Sequence, residues 1–176
     1  MTLLDDYEVV YKLRGVAITS RMLKTVPPDL LRRTGVDELM FSVCLHLVFY
    51  SCKNIHALHQ SLKGTLVFLH DPNTPELLST SIPTIVELVD LLLPARTPSK
   101  AGGKQRFDRL CSVLGEAIIG NIWIHASRDI VTIRATIDQV PLLVEALGIC
   151  AVRYLKASLL QLSPHILFAE EGSSSR

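Results

Sequence analysis

An all-α fold, arranged as an α-solenoid of HEAT-like helical repeats, is predicted by three observations. Apolar residues recur at helical spacing in segment after segment of the 176-residue chain. Hydrophobic residues make up 48% of the chain and aromatic residues only 6%, so the apolar mass is aliphatic, which is typical of packed helices. Two short patterns also recur along the chain, which favours stacked helix pairs. A closed helical bundle is the alternative.

The individual helices follow from the apolar spacing and from the residues that stop helices. Apolar faces mark helices over about 10–23 and 39–50, and further helices are predicted over 54–69, 76–93, 105–126, 129–147 and 150–168. Breaks are predicted at prolines, at a glycine and at an Asp-Pro-Asn turn: 27–28, 71–75, 94 and 148. One domain is therefore expected over 1–168, with a flexible loop at 95–104 and a disordered tail at 169–176.

Two sequence echoes suggest internal repeats. Residues 82–89 (IPTIVELV) line up with 140–147 (VPLLVEAL), so that a proline, several aliphatic residues and a glutamate recur in register. An acidic turn also leads into an apolar helix at 6–10 and again at 129–134. Each unit would be a helix pair that buries its apolar face by stacking on its neighbours.

The charge balance and the mean hydropathy limit the classes of partner that the chain is expected to bind. Lys plus Arg number 18 and Asp plus Glu number 17, giving a net charge of +1, so binding to nucleic acid is not expected. The longest apolar stretch, 39–52, is shorter than the roughly 20 residues of a membrane-spanning helix, so no membrane contact is expected either. The mean hydropathy of +0.33 indicates apolar surface that is buried against a partner, or a chain that is a piece of a longer protein.

Chemical motifs do not build an active site, so the chain is expected not to be an enzyme and to need no cofactor. Gly102-Gly103-Lys104 lacks the earlier glycine and the following Ser or Thr of a phosphate-binding loop. Cys52, His56 and His59 share a helical face, but no fourth ligand is suitably spaced, so no metal is expected. A small helical zinc enzyme remains an alternative that stoichiometric zinc would support.

Several blocks of the sequence carry a resemblance to a known family. The most distinctive is RFDRLCSVLGE at 106–116, which leads into IIG at 118–120 and the single tryptophan, Trp123. The other blocks are LRRTGVDEL at 31–39, FLHDP at 68–72, TPELL at 74–78 and RYLKA at 153–157.

From Pro27 onward these blocks resemble the Tti-two family (Tel-two-interacting protein two), subunits of the triple-T (TTT) cochaperone complex, and fungal members in particular. The resemblance implies an armadillo-like helical scaffold without enzymatic activity. It implies two sister helical-repeat subunits as partners. With the heat-shock chaperone machinery, such a complex matures and stabilises phosphatidylinositol-kinase-related kinases, which act in telomere maintenance, the DNA-damage response and nutrient sensing.

Candidate partner contacts are the polar residues inside or beside the matching blocks. The resemblance also implies a cytoplasmic and nuclear location. A HEAT-repeat adaptor for nucleic acid or transport cargo is the alternative function. The candidate contact residues are Arg106, Asp108, Arg109, Arg153 and Lys156.

The resemblance leaves one segment unaccounted for, and it implies a longer parent protein. Family members are much longer, so this chain is expected to be one internal stretch. The segment from Val43 to Gln60 does not align, and joining Ser42 to Ser61 would restore the family's spacing. We therefore hypothesise that this segment is a translated intron, which sequencing of the spliced transcript would test.

Overall fold

The computed structural model describes the backbone of residues 9–61, 71–93, 100–126 and 129–171, and the side chains of 9–48, 71–93, 102–126 and 129–163. Within these residues every regular element is a helix, which confirms the predicted all-α fold. The α-helices are α1 (Val9–Thr25), α2 (Pro28–Thr34), α3 (Val36–Ser61), α4 (Thr74–Leu92), α5 (Lys100–Cys111), α6 (Trp123–His125), α7 (Ile130–Ile137), α8 (Val140–Leu147) and α9 (Leu155–Glu171). A π-helical segment, Ser112–Ile122, joins α5 to α6, and a 3₁₀ segment, Gly148–Tyr154, joins α8 to α9.

Several helix ends form where the sequence predicts them. α1 ends before the Pro27-Pro28 pair, and α4 begins after the turn at Asp71. In that turn the backbone N–H of Asn73 donates to Asp71 Oδ1 at 2.9 Å, while Asn73 itself makes no capping bond. Asp129 caps α7, because its carboxylate accepts from the backbone N–H of Thr132 at 3.2 Å and from the Thr132 hydroxyl at 2.6 Å.

The fourth helix is the centre of the molecule. α4 packs against α1, α3 and α7, and it also contacts α2, α5 and α8. Neighbours on several sides bury its side chains around more than one face, so its apolar residues do not form a single stripe. The buried side chains of α4 are Leu77, Leu78, Ser81, Ile82, Thr84, Ile85, Val86, Leu88, Val89 and Leu92.

The side chain of Trp123, the first residue of α6, links α6 to α7. This side chain is 1% exposed, and its indole N–H donates to Thr136 Oγ1 at 2.9 Å. The Thr136 hydroxyl donates in turn to the Ile133 carbonyl at 2.7 Å, so the buried polar atoms are paired. Trp123 is therefore a core residue.

Other predicted boundaries are wrong in detail. Helix α5 begins at Lys100, so the predicted loop does not extend to Lys104, and residues 95–99 lie outside the described part of the chain. The predicted helix 129–147 is divided by a turn at Asp138 and Gln139. The predicted helix 150–168 begins as the 3₁₀ segment. Helix α9 continues to Glu171, and the rest of the predicted tail lies outside the described residues.

The first sequence echo is not a structural repeat. Pro83 lies inside α4, whereas Pro141 lies in the first turn of α8, so the two prolines occupy different parts of their helices. In the second echo, residues 6–8 lie outside the described part of the chain. The HEAT-like solenoid arrangement therefore stays a prediction, while the all-helical class is established.

One stretch of the described residues, Ile130–Ser163, is long and apolar enough to cross a membrane by length and composition alone. Only 22% of its most apolar window is buried in the molecule. The stretch turns at residues 138–139 and at Gly148, and α7 and α8 have 8 residues each. Helices of that length span only about 12 Å, against about 30 Å of hydrocarbon. Neither α7 nor α8 is therefore long enough to cross a bilayer by itself.

Candidate protein-interaction surface

α8 ends at Leu147, and the residues that follow it, 148–163, form what we call the C-terminal segment. Gly148 has a φ of 59° and a ψ of −139°, a backbone conformation that residues with a Cβ rarely adopt. This conformation interrupts the helix between α8 and the 3₁₀ segment. α9 packs against the π-helical segment and α6, and not against the central α4 to a comparable extent.

One face of the C-terminal segment anchors it to the core. Ala151 is buried, and Tyr154, Ala157 and Leu162 pack against the core cluster. The Tyr154 ring lies over Gly115 so closely that a Cβ at Gly115 would lie 2.5 Å from Tyr154 Cε1. The Tyr154 hydroxyl lies 3.5 Å from the Cys111 carbonyl oxygen, to which it donates. Gly115 is therefore the residue that lets the segment approach the π-helical segment.

The opposite face exposes large apolar side chains in a continuous row. In a 3₁₀ helix, residues three apart share a face, and in an α-helix residues three and four apart do so. The spacing of 149, 152, 155 and 159 therefore aligns these side chains, with Leu160 beside them. We call this row the apolar stripe; its members and exposures are Ile149 85%, Val152 60%, Leu155 57%, Leu159 58% and Leu160 65%.

Two cations flank the apolar stripe, and both are among the contacts predicted from the sequence. Arg153 and Lys156 are exposed. The Arg153 guanidinium carbon lies 5.7 Å from the centroid of Phe107 and 5.5 Å from that of Tyr154, so the side chain lies along two aromatic rings. Arg153 thus forms a positively charged border of the stripe on the side of α5.

The structure places the three other predicted contacts on α5, in two kinds of environment. Asp108 is exposed. The Arg106 side chain is 12% exposed, and it pairs with Asp90 and donates to the carbonyls of Leu93 at 3.2 Å and Ala146 at 3.4 Å. Arg106 therefore fastens the C-terminal ends of α4 and α8 to α5, which leaves few of its donors for a partner.

Arg109 is also engaged within the molecule. Its side chain is 9% exposed, it pairs with Glu38, and its guanidinium carbon lies 4.6 Å above the Phe41 ring centroid. These contacts join α5 to α3. One amino group of Arg109, Nη1, is buried without a hydrogen-bond partner among the described residues.

Sequence reasoning missed the apolar stripe itself, although a signal was present. The predicted helix over 150–168 is apolar on more than the one face that a surface helix buries. Such a helix is either enclosed on all sides or offers apolar surface to a partner. The sequence does not distinguish these cases, since the number of neighbours is a tertiary property.

Two titratable groups have raised pKa values, which is the opposite of what activates a nucleophile. Burial raises the pKa of the Cys44 thiol to about 11, which disfavours the thiolate. Burial, followed by the contact with Cys111, raises the pKa of Tyr154 to about 12. The described residues contain no group of three or more potential metal ligands, and the side chains of Cys52, His56 and His59 lie outside them.

The described elements are thus all helical, with a row of exposed apolar side chains beside two cations, the class of surface that helical-repeat scaffolds offer to protein partners. The chain belongs to the Tti2 family, whose family model matches residues 1–51 and 55–169. This membership supports, in general, the role of a subunit of the triple-T cochaperone complex. Neither the curated proteins nor the solved structures return a match.

The family match overturns the basis of the translated-intron hypothesis. The matched ranges include residues 43–51 and 55–60, so the family model extends through most of the segment between Val43 and Gln60. Within this segment only residues 52–54 lie outside the match. The match also begins before Pro27, and the resemblance extends over the first helix as well.

Proposed function

We propose that this chain is a non-enzymatic scaffold subunit of the triple-T cochaperone complex, acting in the cytoplasm and the nucleus. In this role it binds the sister helical-repeat subunits and, with the heat-shock chaperone machinery, helps mature and stabilise phosphatidylinositol-kinase-related kinases. Telomere maintenance and DNA-damage signalling depend on such kinases. The observation that carries the proposal is the family match over nearly the whole chain, and the exposed apolar stripe supports a binding role.

The apolar stripe is suited to hold a helical partner. Each large aliphatic side chain contributes roughly 1.5–3 kcal/mol when it passes from full exposure to full burial. The five members of the stripe are each more than half exposed, so most of that contribution is still available for association. A row of this spacing fits against the apolar face of another helix, as between neighbouring helical repeats.

The charged border specifies the partner further. Arg153 and Lys156 beside the stripe favour a sister-subunit helix whose apolar face is bordered by Asp or Glu. Of the five predicted contact residues, Arg153, Lys156 and Asp108 are exposed and can meet a partner directly. Arg106 and Arg109 serve this role indirectly, because they hold α5 against α3, α4 and α8.

The test is an affinity pull-down of the tagged full chain from a lysate of cells that express the triple-T subunits, read by mass spectrometry. The wild-type chain is expected to recover both sister subunits in stoichiometric amounts. The variant Leu159→Asp places a charge in the stripe. It is expected to recover the sister subunits in amounts at least about tenfold lower than the wild-type chain does. The control variant Ile18→Asp changes an exposed apolar residue of α1, 51% exposed, and is expected to keep it.

Two outcomes contradict parts of the proposal. Equal recovery by Leu159→Asp and Ile18→Asp would remove the apolar stripe from the interface. A different stoichiometric set of partners, such as nucleic-acid or transport proteins, would replace the triple-T role by the adaptor alternative. Circular dichroism of both variants is the control for folding, since both substitutions are at exposed positions.

A further inference from the structure

The outer face of the first helix carries charge of a single sign. α1 packs on α3 and α4 through its inner side, where Val16 and Leu23 are buried. The residues on the opposite side recur at spacings of three and four, so they share one face, and all of them are exposed. We call this surface the basic face; its members are Tyr11, Arg14, Ala17, Ile18, Arg21 and Lys24.

Acidic residues do not balance this charge within the helix. Between residues 8 and 29 the sequence contains four Lys or Arg and no Asp or Glu. Asp29, the next acid along the chain, pairs with Arg32. The acids Glu38 of α3 and Asp90 of α4 pair with arginines of α5. The three cations of the basic face form no ion pair with any of the described residues, so their charge is available to a partner.

Contact with water alone does not account for this pattern. An exposed helix face usually mixes both signs of charge, because Glu and Lys four residues apart stabilise a helix. Arg21 and Lys24 are three residues apart and carry like charges, which destabilises a helix. The helix dipole favours Lys24 in the last turn, but it does not favour Arg14 in the middle of α1. An acidic partner would relieve the repulsion between these cations.

The order of the side chains favours a helix as the acidic partner. Apolar and cationic residues alternate along the row formed by Tyr11, Arg14, Ile18 and Arg21. A helix that lies on a membrane instead has its apolar residues on one side and its cations on the other. Alternation fits the contact between two packed helices, where apolar contacts and ion pairs recur every seven residues. Tyr11 and Ile18 are 38% and 51% exposed, so they present a shallow apolar surface.

We propose that the basic face of α1 binds an acidic amphipathic helix of a partner protein. Two carboxylates seven residues apart on that helix pair with Arg14 and Arg21, which are themselves about 10.5 Å apart along the axis of α1. Two apolar residues at the same spacing cover Tyr11 and Ile18. The apolar stripe has no member on α1, so the proposal does not depend on the triple-T role.

The probe for the test is a fluorescein-labelled, alanine-based helical peptide of about 18 residues. One of its faces has two glutamates and two leucines, and the members of each pair are seven residues apart. The first control peptide has glutamine in place of both glutamates. The second control peptide has the same composition as the probe, but its glutamates lie on the face opposite the leucines.

Fluorescence anisotropy with the full chain at low ionic strength measures the three affinities. A dissociation constant on the order of 0.1 mM is expected for the probe. Each control peptide is expected to bind about fivefold more weakly, because two exposed ion pairs are lost. A salt concentration of about 0.5 M is expected to reduce this difference to less than about twofold, since salt screens exposed charges.

The variant chosen for the test is Arg21→Gln, because the Arg21 side chain has no ion pair or ring contact among the described residues. It is expected to weaken binding of the probe by about threefold. The matched control, Arg134→Gln, removes an exposed cation of α7 and is expected to leave the affinity unchanged. Ile18→Asp, which is expected to keep the sister subunits in the pull-down, should bind the probe at least about tenfold more weakly.

Four results would overturn the proposal. Equal affinity for the glutamate and glutamine peptides would show that the charge is not recognised. Equal affinity for the peptide with glutamates on the opposite face would show that the helical arrangement is not recognised. Equal effects of Arg21→Gln and Arg134→Gln would place the binding outside α1. Tighter binding to vesicles of phosphatidylserine and phosphatidylcholine than to the probe would replace the partner helix by a membrane. Since these titrations contain no sister subunit, they leave the outcome of the pull-down experiment open.

Discussion

The central helix α4 and the C-terminal segment are both rich in aliphatic side chains, yet they hold them in opposite environments. In α4, Ile82, Ile85 and Leu88 are fully buried, whereas Ile149 and Leu160 of the C-terminal segment are mostly exposed. Helices surround α4 on several sides, while the C-terminal segment packs on one side only, through Tyr154 and its neighbours. Hydropathy therefore sets how much apolar surface a segment has, and the number of neighbours sets how much is buried.

Buried and exposed apolar side chains also contribute to different properties, namely stability and partner binding. Apolar side chains that the fold buries contribute to the free energy of unfolding, whereas those left in water contribute when a partner covers them. The same residue type should consequently have a large effect on unfolding in α4 and a large effect on binding in the stripe. Three predictions test this difference, and they are ordered by the size of the expected effect.

The largest effect is expected for a matched pair of leucine truncations. Leu88→Ala in α4 should lower the free energy of unfolding by about 2–5 kcal/mol, because it leaves a cavity in the core. Leu160→Ala in α9 should change it by less than about 0.5 kcal/mol, because the side chain is already largely in water. Urea unfolding of the full chain measures both values. Similar losses for the two variants would mean that the stripe is part of the core.

A smaller loss in the free energy of unfolding is expected at alkaline pH. Burial raises the pKa of Cys44, which packs in the core, from 9.0 to about 11, and that of Tyr154 in the C-terminal segment from 10.0 to about 12. Both groups are neutral when protonated, and the folded state holds their protons more tightly than the unfolded state. The contribution of Cys44 to the free energy of unfolding is therefore full at lower pH and is lost as the pH rises through about 9–11. The contribution of Tyr154 is lost as the pH rises through about 10–12.

Urea unfolding at a series of alkaline pH values tests this order of events. The loss attributable to Cys44 should approach about 2–3 kcal/mol at the upper end of its range. Cys44→Ala should flatten the pH dependence between 9.0 and about 11, whereas the exposed Cys150→Ala should leave it unchanged. Tyr154→Phe should flatten the pH dependence of the free energy of unfolding only between 10.0 and about 12. An unchanged pH dependence in Cys44→Ala would contradict the assignment to the core thiol.

The smallest effect is expected at the contact that joins the two regions. Gly115→Ala would place a Cβ 2.5 Å from Tyr154 Cε1, and the ring must move, at a cost of about 1–3 kcal/mol. The matched control is Gly103→Ala, whose Cβ meets nothing within 4 Å. Gly103 lies in α5, so this change should instead stabilise the chain by up to about 1 kcal/mol.

A double variant sharpens the test. Tyr154→Leu removes the ring that the new Cβ would meet, so Gly115→Ala should cost less in the Tyr154→Leu chain than in the wild type. Thermal or urea unfolding of the four chains measures this coupling. Strict additivity of the two changes would show that the ring does not determine the requirement for glycine.

Local patterns in the sequence predicted much of the fold. Helical spacing placed the central helix, the proline pair after α1 marked a helix end, and the acidic turn at Asp129 led into a helix as predicted. These features depend on the backbone geometry of consecutive residues, which nearby side chains control. The exact limits of the loop before α5 and the turn inside the predicted helix 129–147 were missed, because competing helix formers at these points differ little in free energy.

The candidate site could be predicted only in part. Arg153 and Lys156 were identified from the sequence, and they lie beside the apolar stripe. The stripe itself was not identified, since an apolar residue such as Ile149 has the same local pattern whether or not a helix covers it. The unpaired amino group of Arg109 was equally hidden, because it depends on where α3 places Phe41 and Glu38.

The sequence by itself determined that the chain is helical, where most helices break, that its apolar mass is aliphatic, and to which family it belongs. Only the tertiary structure decided that α4 is enclosed, that the stripe faces solvent and that Arg109 pairs with Glu38, 71 positions away. The reason is physical: helix formation follows from interactions within a few residues, whereas burial and pairing follow from which helices pack together.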